Sequence, residues 1–152
     1  MRSLLATEDR FAPTLARLTL GIVFFFHGMQ KLFGWFGGFG FNGTLHFFTD
    51  GQHIPVVFAV LAILAEGLGS IGLILGLLSR VAAFGIACNM VVAVYLVHWP
   101  NGIFMNWTGT QKGEGFEFHM LAVGLALIVM IYGGGAWSLD LALSRRKQAS
   151  SR

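Results

Sequence analysis

The amino-acid sequence predicts an all-α integral membrane protein, an antiparallel four-helix bundle with both termini in the cytoplasm. Three observations carry that expectation. Hydrophobic residues make up 55% of the 152 residues and charged residues only 11%, where a globular protein carries about 25% charged. A single soluble core cannot hide that much apolar surface from water. Four stretches are each long enough to supply the roughly 20 apolar residues of a bilayer crossing. The ten Lys and Arg gather at chain ends and turns, as topology signals do. A soluble monomer, a disordered tail and a nucleic-acid module are thereby excluded. The pI of about 9.5 reflects scattered cations, not a basic patch.

The expected spans are residues 13–33, 55–78, 80–98 and 116–134, within a single domain covering 1–152. Pro13 and Pro55 suit first-turn positions, where a missing N–H costs nothing. Spans two and three are joined by only Leu78-Ser79-Arg80, so they form an antiparallel hairpin. Span one is too long for the apolar core of a signal peptide and lacks a small-residue cleavage site after it, so it reads as an uncleaved helix. On a four-span path Arg2, Arg10, Arg17, Arg80, Arg145, Arg146, Lys147 and Arg152 fall on one side. Lys31 and Lys112 fall on the other. The positive-inside rule then places the termini in the cytoplasm.

The first outer loop runs Gly34-Trp35-Phe36-Gly37-Gly38-Phe39-Gly40-Phe41 and on to Phe48. So many Phe residues imply a segment folded back on the membrane surface or over the bundle. The second outer loop, Trp99 to Gly115, is polar. After Gly133-Gly134-Gly135, residues 137–147 read as a short interfacial helix with a basic end. The one cysteine, Cys88, is expected to be a small buried side chain. It excludes a disulfide or a cysteine-built metal centre within the chain.

Ionisable groups within spans cost about 2.5–3.5 kcal/mol on insertion scales, so they face protein and find partners. Glu66 stands out. It lies eleven residues past Pro55, about 16 Å of helical rise into the membrane, on a stripe with Ala59, Ala62, Gly69, Gly72 and Gly76 that suits close helix approach. His27 and Lys31, four apart, share a face of span one. Lys31 either snorkels to the outer interface or balances Glu66 or Glu117. Asn89, in line with Ala82, Gly85, Ala93 and Leu96, is expected inside as an interhelical hydrogen-bonder. His98 falls on the face opposite Asn89 unless the helix breaks before Pro100. Glu117 and His119 are about 200° apart on a helix; Glu117, aligned with Met120, Leu121 and Gly124, is expected inside and His119 at the interface. His27 lacks a second histidine at i+3 or i+4, so no metal site is expected.

Glu66, His27, Lys31 and Glu117 form the expected reactive set, with His98, Asn89 and Asn101 as binding residues. Two carboxylates, two imidazoles and an amine in the outer half can exchange protons and bond a carbonyl ring, which suits a quinone or quinol. The same set could equally be an internal polar lock.

The motifs resemble those of the DoxX family of small four-helix bacterial membrane proteins. The matching text is Arg17-Leu18-x2-Gly21, His27-Gly28-x2-Lys31-Leu32-Phe33-Gly34, Gly43-Thr44-x2-Phe47-Phe48, Ala65-Glu66-x2-Gly69, Gly76-Leu77-x2-Arg80, Val97-His98-x2-Asn101-Gly102, Gly115-Phe116-Glu117 and Ser138-Leu139-Asp140. The resemblance implies a membrane subunit or anchor in quinone-linked sulfur or redox metabolism, or in an oxidative-stress complex, working with a redox-enzyme partner. It carries His27, Lys31, Glu66, His98, Asn101 and Glu117 as candidate site residues. A scaffold without chemistry of its own and a small-solute or proton pathway are the rival expectations. Lipid is the constant partner, and the oligomeric state is left open.

Overall fold

A computed structural model describes residues 4–149; Arg2 and Arg152, and the side chain of Lys147, lie outside what it describes. The described residues are helical with no strand. The helices are α1 (Phe11–Phe33), α2 (Gly40–His46), α3 (Val56–Leu75), α4 (Ser79–Ala93), α5 (Glu117–Tyr132) and α6 (Leu139–Ala149). A π-helical turn and a 3-10 turn carry α4 on without a gap to Asn101. Three helical runs are long and apolar enough to cross a membrane: Phe11–Phe33, Val56–Leu75 and Ser79–Asn101. The expected fourth span is shorter, a 16-residue apolar helix. Gly133 ends it, and at its other end the backbone pairs Phe116 N–H with Gly102 O and Glu117 N–H with Ile103 O.

Each of the four long helices packs on two others. α1 lies against α3 and α5, and α4 lies against the same two. Their shared core holds Leu20 and Phe24 of α1, Leu73 of α3, Ala83, Ile86 and Met90 of α4, and Ala122, Ala126 and Val129 of α5. Neighbours run antiparallel: Gly21 meets Leu73 and Ile74, while Gly28 meets Glu66 and Gly67. α3 presents two faces at once. Its buried face is Ala59, Ile63, Glu66, Gly67, Ser70 and Leu73. The predicted stripe members Ala62, Gly69 and Gly72 are half-buried beside it, with Gly69 facing Ala82 of α4. Cys88 corrects the sequence reading. It is exposed on the outer side of α4, because Ala83, Ile86 and Met90 supply that helix's buried face.

Both described ends of the chain meet at one end of the helices, where backbone groups that hydrocarbon would leave stranded find side-chain partners. Arg17 was expected to act as a topology charge. The residue is instead 1% exposed, and its guanidinium donates to Leu73 O at 2.5 Å and Ile74 O at 2.7 Å, capping α3, and to Gly134 O at 2.8 Å. Arg80 does the same for α5 through Met130 O and Ile131 O. Asp140 accepts from Leu78 N–H at 2.8 Å and Ser79 N–H at 2.9 Å, capping the start of α4. Gly76 closes the α3–α4 turn at φ 69°, and a Cβ there would strike Ser138. So the Gly76, Arg80 and Ser138-Leu139-Asp140 motifs all converge on one cap.

At the other end, the Phe-rich loop folds back as expected. α2 packs on α1 and α3 and buries Thr44, while Trp35, Phe36, Phe39 and Phe47 stay exposed. His46 Nδ1 lies 3.0 Å from Asp50 Oδ2. This bond and that from Thr49 hold the Asp50 carboxyl below its ordinary 3.8. A depressed carboxylate contributes its bonds above its unfolded value and loses them as pH falls through the lowered one. A ¹³C titration of Asp50 should therefore show a midpoint below 3.8 that moves up in His46→Ala; an unchanged midpoint contradicts the pairing. Replacing Arg17 with Met should cost about 3 kcal/mol, since several buried carbonyls lose their donor at once. Unaltered thermal melting of the detergent-solubilised variant would show that the cap carries no weight.

Candidate functional site

The site begins with a glycine. A Cβ on Gly28 would lie 2.5 Å from Glu66 O and 2.6 Å from Gly67 Cα, so only glycine lets α1 come this close to α3. Three residues on, Lys31 is thereby brought across the interface. Its Nζ sits 2.5 Å from Glu66 Oε2, with the Glu66 side chain 6% exposed and that of Lys31 24%. This decides between the two sequence readings of Lys31: it pairs with Glu66 and not with Glu117. α4 completes the arrangement. Asn89 Nδ2 donates to Ala62 O at 2.8 Å and to Glu66 Oε1 at 3.3 Å. Each carboxylate oxygen of Glu66 thus has a donor, and one carboxylate ties three helices together. Buried ion pairs persist when desolvation is offset by such complete bonding.

His27 lies one turn from Lys31 but on a different heading. It is exposed, and its ring packs on Phe24 at 6.0 Å and Phe118 at 6.1 Å. Lys31 and Glu66 bond each other, with Asn89, and leave the imidazole aside.

The fourth helix reverses an expectation. His119 is 7% exposed and continues into Ala122, Ala126 and Val129, the buried face of α5. Met120 and Leu121, the expected inward neighbours of Glu117, are exposed. Glu117 is half-buried and serves the loop: its Oε1 accepts from Met105 N–H at 2.9 Å and Trp107 Nε1–H at 3.1 Å. The reason is packing. The small alanines let α5 approach its neighbours, and the larger aliphatics face out.

His98 also moves. The π turn Val94–His98 inserts a residue into the helical count, rotating His98 by about 100° from the face that a regular helix predicts. Its ring packs on His119 with centroids 4.1 Å apart and planes tilted by 43°, and Nδ1–H donates to Glu114 O at 2.8 Å. Asn101 Nδ2 donates to the same carbonyl at 3.1 Å. Asn101 and Glu117 therefore organise the second loop and do not touch the Lys31–Glu66–Asn89 group. Among the described residues no set of three or more His, Cys, Asp and Glu is placed to hold a metal. An open pocket of about 280 Å³, lined by Asp9, Trp137 and Arg145 among others, sits at the opposite end of the helices.

A family model for DoxX matches residues 12–99. The chain belongs to the DoxX family. Its apolar helices make it a membrane protein of that family. The match takes in Arg17, His27, Lys31, Glu66, Asn89 and His98, and it stops before Asn101, Glu117 and His119. Searches of curated proteins and of solved structures returned no match. The DoxX match thus spans the three helices that the Glu66 carboxylate joins.

Sequence reasoning missed His119 because it ranked the face by Glu117. The spacing of Ala122 and Ala126 behind His119 was the available signal. Lys31→Met strands a buried carboxylate and should cost about 3 kcal/mol, with most of it recovered in Lys31→Met/Glu66→Met. Additive single and double variants in denaturation would contradict the pairing. Gly28→Ala should destabilise by a similar amount by separating α1 from α3.

Proposed function

We propose that this DoxX protein is a single-domain, four-span protein of the bacterial inner membrane, with both termini in the cytoplasm, that serves as a membrane subunit or anchor of a quinone-linked redox complex. In this reading α5 is the fourth span, and the Lys31–Glu66–Asn89 group and His27 form a site for the headgroup in the outer half. One observation supports it above the others. A carboxylate and an amine stand in contact inside an apolar bundle, with an exposed, aromatic-flanked imidazole one turn away.

The chemistry follows from the groups. A membrane-dissolved quinone offers two carbonyl oxygens and a quinol two hydroxyls. Lys31 stabilises negative charge on an oxygen, His27 hydrogen-bonds an oxygen in either form, and Glu66 accepts a hydroxyl proton. Electrons pass to or from a partner redox enzyme, since this reading assigns the chain no electron carrier. His98, Asn101 and Glu117 shape the loop over the site.

A second reading, a scaffold that recruits redox enzymes without binding quinone, draws on the completeness of the Glu66 bonding. The two separate on one experiment. Protein purified in mild detergent is extracted, and bound quinone is measured by mass spectrometry. The quinone site predicts retained quinone that drops about tenfold per folded molecule in Glu66→Gln, the scale of one lost hydrogen bond, counted on the monodisperse fraction that keeps wild-type helicity. Protein that holds no quinone after reconstitution with it, or holds as much in the variant, overturns the site and leaves the scaffold.

A further inference from the structure

Next to the Lys31–Glu66 pair runs an unbroken chain of rings drawn from three helices. Phe24 contacts His27 at 6.0 Å and Phe118 at 6.1 Å; Phe118 contacts His27 at 6.1 Å and His119 at 5.6 Å; His119 contacts His98 at 4.1 Å. Two histidines of this series differ. His27 is exposed on the side of α1. His119 is buried, and its Nδ1 has no hydrogen-bond partner among the described residues. A buried ring nitrogen without a partner is costly and rare, and it calls for a group that is not part of the protein. His98 has already committed its Nδ1 to Glu114 O, so the unmet demand sits at His119.

We propose that Phe118 and His119 belong to a ligand site of their own chemistry: a planar, carbonyl-bearing ring enters sideways from the membrane past His27, lies against Phe118, and hydrogen-bonds His119 Nδ1. This rests on the quinone reading above and extends it to α5, which the DoxX match does not cover. Aromatic faces favour a flat ring in offset or edge contact. An imidazole suits both redox forms, because its tautomers let Nδ1 donate to a carbonyl or accept from a hydroxyl. A lateral entry fits a ligand that is dissolved in the bilayer, and the exposed His27 ring is where such a ligand first meets the series. The placement also explains why α5 keeps a histidine on its buried face among alanines. With Lys31 and His27 on α1 and His119 on α5, hydrogen-bonding groups lie on both of these packed helices.

The test is photolabelling of the full chain in phosphatidylcholine nanodiscs with a short-chain azido-benzoquinone, followed by peptide mapping. The expected result is label on the α5 segment around Phe118 as well as on α1 around His27, displaced by excess decylubiquinone. In His119→Gln the displaceable α5 label should fall about tenfold, as for one lost hydrogen bond; the wild-type map carries the test should that variant fail to fold. Displaceable label confined to the peptides of Lys31 and Glu66 overturns this inference while leaving the proposed site intact. No displaceable label anywhere overturns both.

Discussion

The contact between Lys31 and Glu66 is the interaction on which the rest of the arrangement depends. A lone carboxylate in hydrocarbon would be expelled or protonated, and a lone amine would pull toward the interface. Together, and with Asn89 on the second oxygen, they can remain. Their meeting requires α1 and α3 to touch backbone to backbone, which Gly28 permits. It requires α4 to lie on the other side of α3, which the tight turn at Gly76 dictates. Local sequence choices on three helices therefore serve one carboxylate.

The two ends of the bundle solve different problems. At the end that carries the termini, Arg17, Arg80 and Asp140 cap helix ends, and charge is consumed by backbone. At the other end the buried Glu66 carboxylate is met by the side chains of Lys31 and Asn89, and His119 is left with an unmet ring nitrogen. Function in a membrane bundle belongs where polar groups are assembled but not exhausted. His27 and His119 meet that description; Arg17 and Asp140 do not. Arg17 and Arg80, basic residues of the expected orientation signal, thus carry a structural role as helix caps.

Much of this was legible in the sequence, and the failures have physical causes. The helical class, the hairpin, the folded-back aromatic loop and the burial of Glu66 among polar partners follow from span length, a three-residue connection, Phe density and the depth of one carboxylate. Arg17 read as a topology charge because composition does not distinguish a charge facing water from one facing carbonyls. His119 and Cys88 were misplaced because α5 and α4 are apolar all round, so polarity does not mark the inward face; only the small residues do. His98 depended on a π turn, which has no sequence signature and displaces every later side chain. The short α5 reflects a triple glycine at one end and a loop pairing at the other, and only the glycines were visible.

The most direct measurement is a dipolar recoupling experiment in lipid bilayers between the ¹⁵N-labelled Lys31 amine and the ¹³C-labelled Glu66 carboxyl. The account predicts strong dephasing, as expected for groups in contact, that changes when decylubiquinone is added. Absent dephasing, or dephasing indifferent to saturating quinone, would contradict it.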